Sequence, residues 1–192
     1  MHKLLPNFFI FLDKYNKKIF ENNNINVGVI YRNYNSPNRK TELLKIAKEC
    51  KKRRFKLFVS NNYKLASNVK ADGVYIPSFS KISKNHNSEN KKLIILGSAH
   101  NQKEIHEKIL QKCVGIFLAP VFKTKKNKKW LNIYKFNYLS LFNKTQFFAL
   151  GGINRNNINK LKLLHINGFG GISIFKKKPA LKRPVFLKNN FF

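Results

Sequence analysis

Eight short, almost unbroken apolar segments recur along this chain, and they constrain its fold more than any other feature. They are FFIFL (8–12), VGVIYR (27–32), FKLFVS (55–60), GVYI (73–76), LIILG (93–97), VGIFLAP (114–120), QFFALGG (146–152) and FGGISIF (169–175). A strand with one face in water alternates apolar and polar residues, so continuous runs predict strands buried on both faces, as in a parallel sheet covered by helices. Helical patterns lie between several of the runs. Residues 40–52 put Leu43, Ile46, Ala47 and Cys50 on one face, and residues 155–167 do the same with Ile158, Leu161 and Leu164, with Gly168 read as the helix end. Segments 62–70 and 101–112 are shorter or weakly patterned, and the stretch after GVYI is the least helical. Strands alternating with helices predict a parallel α/β fold. Eight of them favour a compact (β/α)8 TIM barrel, trimmed below the roughly 250 residues common in that fold. A doubly wound open sheet is the runner-up, but it carries its glycine fingerprint after the first strand, where this chain has DKYNKK.

With 192 residues, 43% of them hydrophobic, the chain can bury one core, and a single domain spanning 1–192 is expected. Cys50 and Cys113 lie far apart and without His or Cys at metal-ligand spacing, which argues against a disulfide framework or a zinc site and fits a reduced cytoplasm. LLPNFFIFL (4–12) resembles a signal core but is interrupted by Pro6 and Asn7 and followed by Asp13, and no apolar run approaches the roughly 20 residues of a membrane span. A cytoplasmic protein without a membrane partner is expected. The formal net charge of +31 invites a nucleic-acid reading. The lysines are nevertheless spread along the whole chain among abundant Asn, Ile and Phe, the residues that A/T-rich codons write, and no zinc-finger spacing, RNP-like stretch or GXXG clamp accompanies them. Compositional drift is therefore preferred to a specific nucleic-acid partner, and a basic nucleic-acid-binding barrel remains the least favoured alternative.

The glycines cluster late. Gly151 and Gly152 follow the seventh apolar run, and Gly168, Gly170 and Gly171 surround the eighth. A glycine pair past a strand serves a tight turn needing positive φ, or lets backbone N–H groups approach an anion. Barrels frequently build a phosphate site from the loops after strands seven and eight, so the second reading gains weight within a barrel.

IYRNY (30–34), KADGVYIPS (70–78), LGSAH (96–100), APVFKT (119–124), FALGGINRNNI (148–158) and NGFGGISIF (167–175) occur in an order and spacing that resemble the thiamine phosphate synthase and TenI family across nearly the whole chain. The resemblance implies a compact (β/α)8 barrel. It also implies one of two reactions: coupling of a pyrimidine methyl diphosphate to a thiazole phosphate with release of pyrophosphate, or isomerisation of a thiazole carboxylate phosphate. The implied partners are a phosphorylated thiazole and, for coupling, a pyrimidine diphosphate. Arg32 matches an arginine that faces the phosphates, and Ser98 and Thr124 match hydroxyls that contact phosphate or diphosphate. His100 is the general acid/base candidate, because imidazole titrates near neutrality. Gly151, Gly152 and Gly171 are the expected phosphate nest, and Lys176, where the family has a serine, would add an ammonium beside it.

The departures are as informative. The family lysine two residues beyond Arg32 is Tyr34 here, and its two magnesium carboxylates fall on Asn61 and Ser80. Neutral side chains are poor ligands for Mg²⁺, which such sites hold through one or two carboxylates plus substrate phosphates. The resemblance thus implies a magnesium site that this chain has lost, and no cofactor is expected. Pro77 and Ser78 resemble a Pro-Ser pair of the TenI branch, which also lacks those carboxylates. A non-catalytic phosphate-ligand binder on the same barrel is the remaining alternative. KKNKKW (125–130) reads as a basic lid or a solvated loop, and a final turn or helix is expected around 179–187.

Overall fold

In the computed structural model of the protein, residues 5–23, 27–34, 36–81, 93–124, 129–141 and 143–176 are described. Eight parallel strands pair in chain order and the last pairs with the first, which closes a barrel and excludes the open sheet. They are β1 (Phe8–Leu12), β2 (Val27–Tyr31), β3 (Lys56–Ser60), β4 (Gly73–Ile76), β5 (Ile94–Ala99), β6 (Gly115–Leu118), β7 (Gln146–Leu150) and β8 (Gly168–Gly171). Around them lie α1 (Lys17–Asn22), α2 (Arg39–Arg53), α3 (Tyr63–Asn68), α4 (Gln102–Leu110) and α5 (Asn132–Leu141). The apolar runs are continuous because each strand has two buried faces. One face packs under the helices, where Leu43, Ile46 and Cys50 of α2, Ile105 of α4 and Phe136 of α5 meet it. The other fills the barrel interior with Phe9, Phe11, Phe58, Tyr75, Phe117 and Phe148.

That interior is an aromatic cluster with gaps built to fit it. Phe9 makes edge contacts with Phe117 and Phe148, each with ring centroids 5.0 Å apart. In register on either side of Phe9 stand Gly28 of β2 and Gly170 of β8. A Cβ at Gly28 would sit 2.5 Å from the Phe9 ring, and one at Gly170 would sit 2.8 Å from the ring of Phe11. Ring and gap are thus paired across neighbouring strands, which restores close packing where eight large side chains would not fit.

Several expectations are corrected. The eighth run was read as a strand through residue 175, but β8 ends at Gly171 and the chain turns into a 3₁₀ segment, Ser173–Phe175. Ile174 and Phe175 are still buried there, and Phe175 stacks on Phe169, so burial and not strand geometry explains their apolar character. The helix expected over 155–167 is a turn followed by a 3₁₀ segment, Ile158–Leu163, and Gly168 opens β8 rather than ending a helix. Asparagine side chains are the physical reason. Asn157 Oδ1 accepts from Asn154 N and Asn154 Oδ1 accepts from Asn156 N, and such local bonds compete with an α-helical start. Helices α1 and α5 were not anticipated. The lid or loop at 125–130 lies largely outside the described residues, and the expected terminal element at 179–187 lies wholly outside them. Among the described residues no helix is long and apolar enough to cross a membrane.

Candidate functional site

A cavity of about 1060 Å³ opens at the carboxyl end of the barrel, walled by residues that follow the strands. Seven of the residues singled out from sequence line it together: Arg32, Ser98, His100, Thr124, Gly151, Gly152 and Gly171. Lys176 does not. It follows the 3₁₀ segment after β8, where its carbonyl accepts from Asn22 of α1.

His100 follows β5 and precedes α4. Its backbone N–H donates to Glu104 Oε2 at 2.8 Å, while Asn101 Oδ1 accepts from Glu104 N, so reciprocal capping fixes the start of α4 and the histidine with it. The ring is held at both nitrogens. Nδ1 lies 2.6 Å from the Ala119 carbonyl, and Nε2 lies 3.1 Å from the Ser78 hydroxyl. A carbonyl only accepts, so Nδ1 carries a proton, and Nε2 of the neutral ring is left to accept from Ser78. The result is a single line, Ser78 hydroxyl to imidazole to Ala119 carbonyl, with Ser78, His100 and Ala119 all on the cavity wall. Such a line suits reversible proton transfer.

Arg32 is only in part available for an anion. Its Nε and Nη2 donate to the two carboxylate oxygens of Asp13 at 2.7 and 3.3 Å, and its guanidinium lies 5.6 Å from the centroid of the Phe11 ring. Burial disfavours the charge, but the Asp13 bonds and charge outweigh it and raise the pKa. Two of the five guanidinium donors are committed to Asp13, and the fork keeps three others for a ligand or water. Asp13 stands just beyond β1, and nothing in the sequence joined it to Arg32, nineteen positions later.

The two positions assigned to magnesium do converge in space. Ser80 Oγ donates to Asn61 Oδ1 at 3.1 Å. Behind them Lys108 is fully buried, and its ammonium donates to the Ser80 carbonyl and to Gln111 Oε1, each at 2.9 Å. Two neutral side chains bonded to each other in front of an ammonium do not fit a divalent cation. Among the described residues there is also no group of three or more His, Cys, Asp and Glu side chains able to hold a metal.

The glycine pair is first of all a turn. Gly151 and Gly152 have φ of 90° and 73°, and a Cβ at Gly152 would fall 2.5 Å from the Phe122 carbonyl oxygen. Phe122 N donates to the Gly151 carbonyl and Val121 N to that of Leu150, which staples this turn to the loop after β6. Just beyond it the amides of Asn154 and Asn156 are taken by asparagine side chains. Ser98 is buried beneath the cavity against Tyr75, whose phenol is pushed well above its ordinary range by burial, with the Ser98 hydrogen bond opposing. Tyr75 and Phe79 are site residues that sequence reading missed; both sit in or just after the fourth apolar run, and only the barrel's curvature shows which side they face.

Residues 23–175 match the sequence model of the family described as thiamine monophosphate synthase (TMP-TENI). The chain belongs to this family. Among its curated relatives are two thiamine-phosphate synthases of Prochlorococcus marinus. That of subsp. pastoris is 33% identical over 69% of this chain and 38% of its own length. The other, from a second strain of the species, is 32% identical over 63% of this chain and 36% of its own length. The matched region thus spans well under half the length of these relatives. Among solved structures, a thiamine phosphate pyrophosphorylase from Pyrococcus furiosus superposes with a TM-score of 0.68 at 17% identity, covering 90% of this chain and 89% of that one. A structure described as native KDPGal superposes at 0.66 with 12% identity, over 90% and 85%. At such identities the superpositions speak for the barrel alone, whereas the match over residues 23–175 carries the thiamine monophosphate synthase family.

Proposed function

We propose that this barrel acts in thiamine biosynthesis on a thiazole phosphate, and that its reaction is a proton transfer of the tautomerase type. The hydrogen-bonded line from Ser78 through His100 to Ala119 on the cavity wall is the observation that carries this reading. A tautomerisation moves one proton and one double bond with no change of mass, so it needs a base able to return the proton from its conjugate acid. Nε2 of His100 takes the proton, the Ala119 carbonyl holds the resulting imidazolium through Nδ1, and the Ser78 hydroxyl turns from donor to acceptor. The phosphate end sits toward Gly151, Gly152 and Gly171, with Thr124 on the same wall and the uncommitted edge of Arg32 facing it. No step is routed through magnesium, because Asn61 and Ser80 do not fit it.

Coupling to a pyrimidine diphosphate is the second reading, favoured by the names of the curated relatives. Loss of pyrophosphate builds negative charge that here only the remaining Arg32 donors and mouth lysines could offset. Both reactions are assayed side by side with and without chelator, in the wild type and His100→Ala. The expected result is chelator-insensitive isomerisation of a thiazole carboxylate phosphate. His100→Ala should lower turnover by about 10²–10⁴ with little change in affinity. Strong Mg²⁺-dependent thiamine phosphate formation would overturn this reading, and ligand binding with silence in both assays would leave a non-catalytic binder.

A further inference from the structure

We propose that Tyr34 and Phe79 form a ring-binding corner of the cavity, which selects a monophosphate carrying a flat heteroaromatic ring. The inference rests on the thiazole phosphate reading and names the residues that would see the ring. Both side chains line the cavity and meet edge to face, with centroids 6.0 Å apart and planes at 72°. Phe79 is 70% exposed and Tyr34 is 39% exposed. Scattered apolar residues at a surface mean little, but two rings placed corner-wise on one cavity wall leave an apolar angle into which a third ring fits in offset or edge contact.

The corner is held in place. Tyr34 Oη is 2.7 Å from Ser60 Oγ, Arg39 Nη2 donates to the Ser60 carbonyl at 2.6 Å, and the Arg39 guanidinium lies 5.8 Å from the centroid of the Tyr34 ring. A ring fixed in this way loses little freedom when a ligand docks. Ser60 bonds Tyr34, Ser78 and Ser80 flank Phe79 in sequence, and the Arg39 guanidinium adds a positive charge beside Tyr34. The opposite part of the wall is the glycine turn with Gly171 and Ser173. A ligand with an anionic end and a flat ring matches both halves, whereas an aliphatic phosphate or inorganic phosphate gains nothing from two aromatic edges.

Calorimetry on the full chain tests this with three probes: the thiazole phosphate, propyl phosphate and inorganic phosphate. The wild type is expected to prefer the thiazole phosphate to propyl phosphate, and Phe79→Ala to reduce that preference about fivefold while leaving inorganic phosphate binding unchanged. Phe79 is exposed, so its truncation does not threaten the fold, and Phe79→Tyr should restore the preference. Tyr34→Leu should act in the same direction as Phe79→Ala. Equal affinity for the two organic phosphates in the wild type, or a preference untouched by Phe79→Ala, overturns the proposal. Isomerisation by His100 with such an untouched preference would sink the ring corner and spare the proposed reaction. A Phe79-dependent preference without isomerisation would do the reverse.

Discussion

Ser78 and His100 share one hydrogen bond, yet they are not equal partners in the proposed proton transfer. His100 is anchored a second time at Ala119, so Ser78→Ala should leave the imidazole in place and remove only the group that accepts from its charged form. Turnover in the isomerisation assay is expected to fall roughly tenfold with KM unchanged, less than for His100→Ala. A Ser78→Ala enzyme as dead as His100→Ala would give the serine a direct role on substrate. Gly152→Ala should cost roughly 1–3 kcal/mol in urea unfolding, since a Cβ there meets the Phe122 carbonyl at φ of 73°. An unchanged midpoint would show that the turn adapts. At this scale the sequence exposed what sits at the ends of apolar runs: His100, Ser98, Thr124, Gly151, Gly152 and Gly171 fall on the cavity wall. It did not expose pairings between strands, such as Asp13 with Arg32, because a bidentate ion pair leaves no trace in spacing. The end of the eighth strand was not legible, because a 3₁₀ turn and a strand carry the same apolar letters.

Among the elements, strands were legible and helices less so, for a physical reason. A strand buried on two faces writes an uninterrupted apolar run, whereas α5 buries Phe136 and Leu139 yet exposes Tyr134 and Tyr138, and so blurs the helical period. Helix α4 does more than cover the sheet. Its Lys108 reaches through the wall to the Ser80 carbonyl and ties down the segment that carries Ser78 and Phe79. Desolvation lowers the Lys108 pKa below its ordinary 10.5, with Cys113, Glu107 and Glu104 opposing. The folded protein then sheds this proton at lower pH than the unfolded chain, so over the range just below 10.5 the unfolded state binds more protons and stability from this group rises with pH. Cys113, pushed up to about 12 by burial, works the other way above 9.0. The comparison is therefore made by difference: unfolding free energy of the wild type minus that of Lys108→Met should grow between pH 8 and 10. A flat difference would mean that the ammonium is as well solvated in the fold as outside it.

For the whole molecule, 39 basic residues face 8 acidic ones. Lys17–Glu21, Arg32–Asp13 and Arg53–Glu49 pair, but 8 carboxylates cannot neutralise 39 cations, so most of the positive charge repels itself. Raising sodium chloride from 20 to 200 mM should increase Tm by several degrees as the screening length falls below about 10 Å. Random duplex DNA should bind weakly and let go near physiological salt. A Tm that falls with salt, or tight sequence-selective DNA binding, would overturn the view of the charge as unselective. The aromatic interior has a consequence of another kind, for how the ring of strands finds its closing alignment. With Phe9 level with Gly28 and Gly170, each ring faces a gap. A slip of one residue along β1 turns Phe9 and Phe11 out of the interior. A slip of two along β8 sets Phe9 against Ile172, or against Gly168 with loss of the bond from Phe169 N to the Asn7 carbonyl. The seam is keyed like a lock with one working notch, so this barrel is complete only when its first and last strands meet in that one alignment.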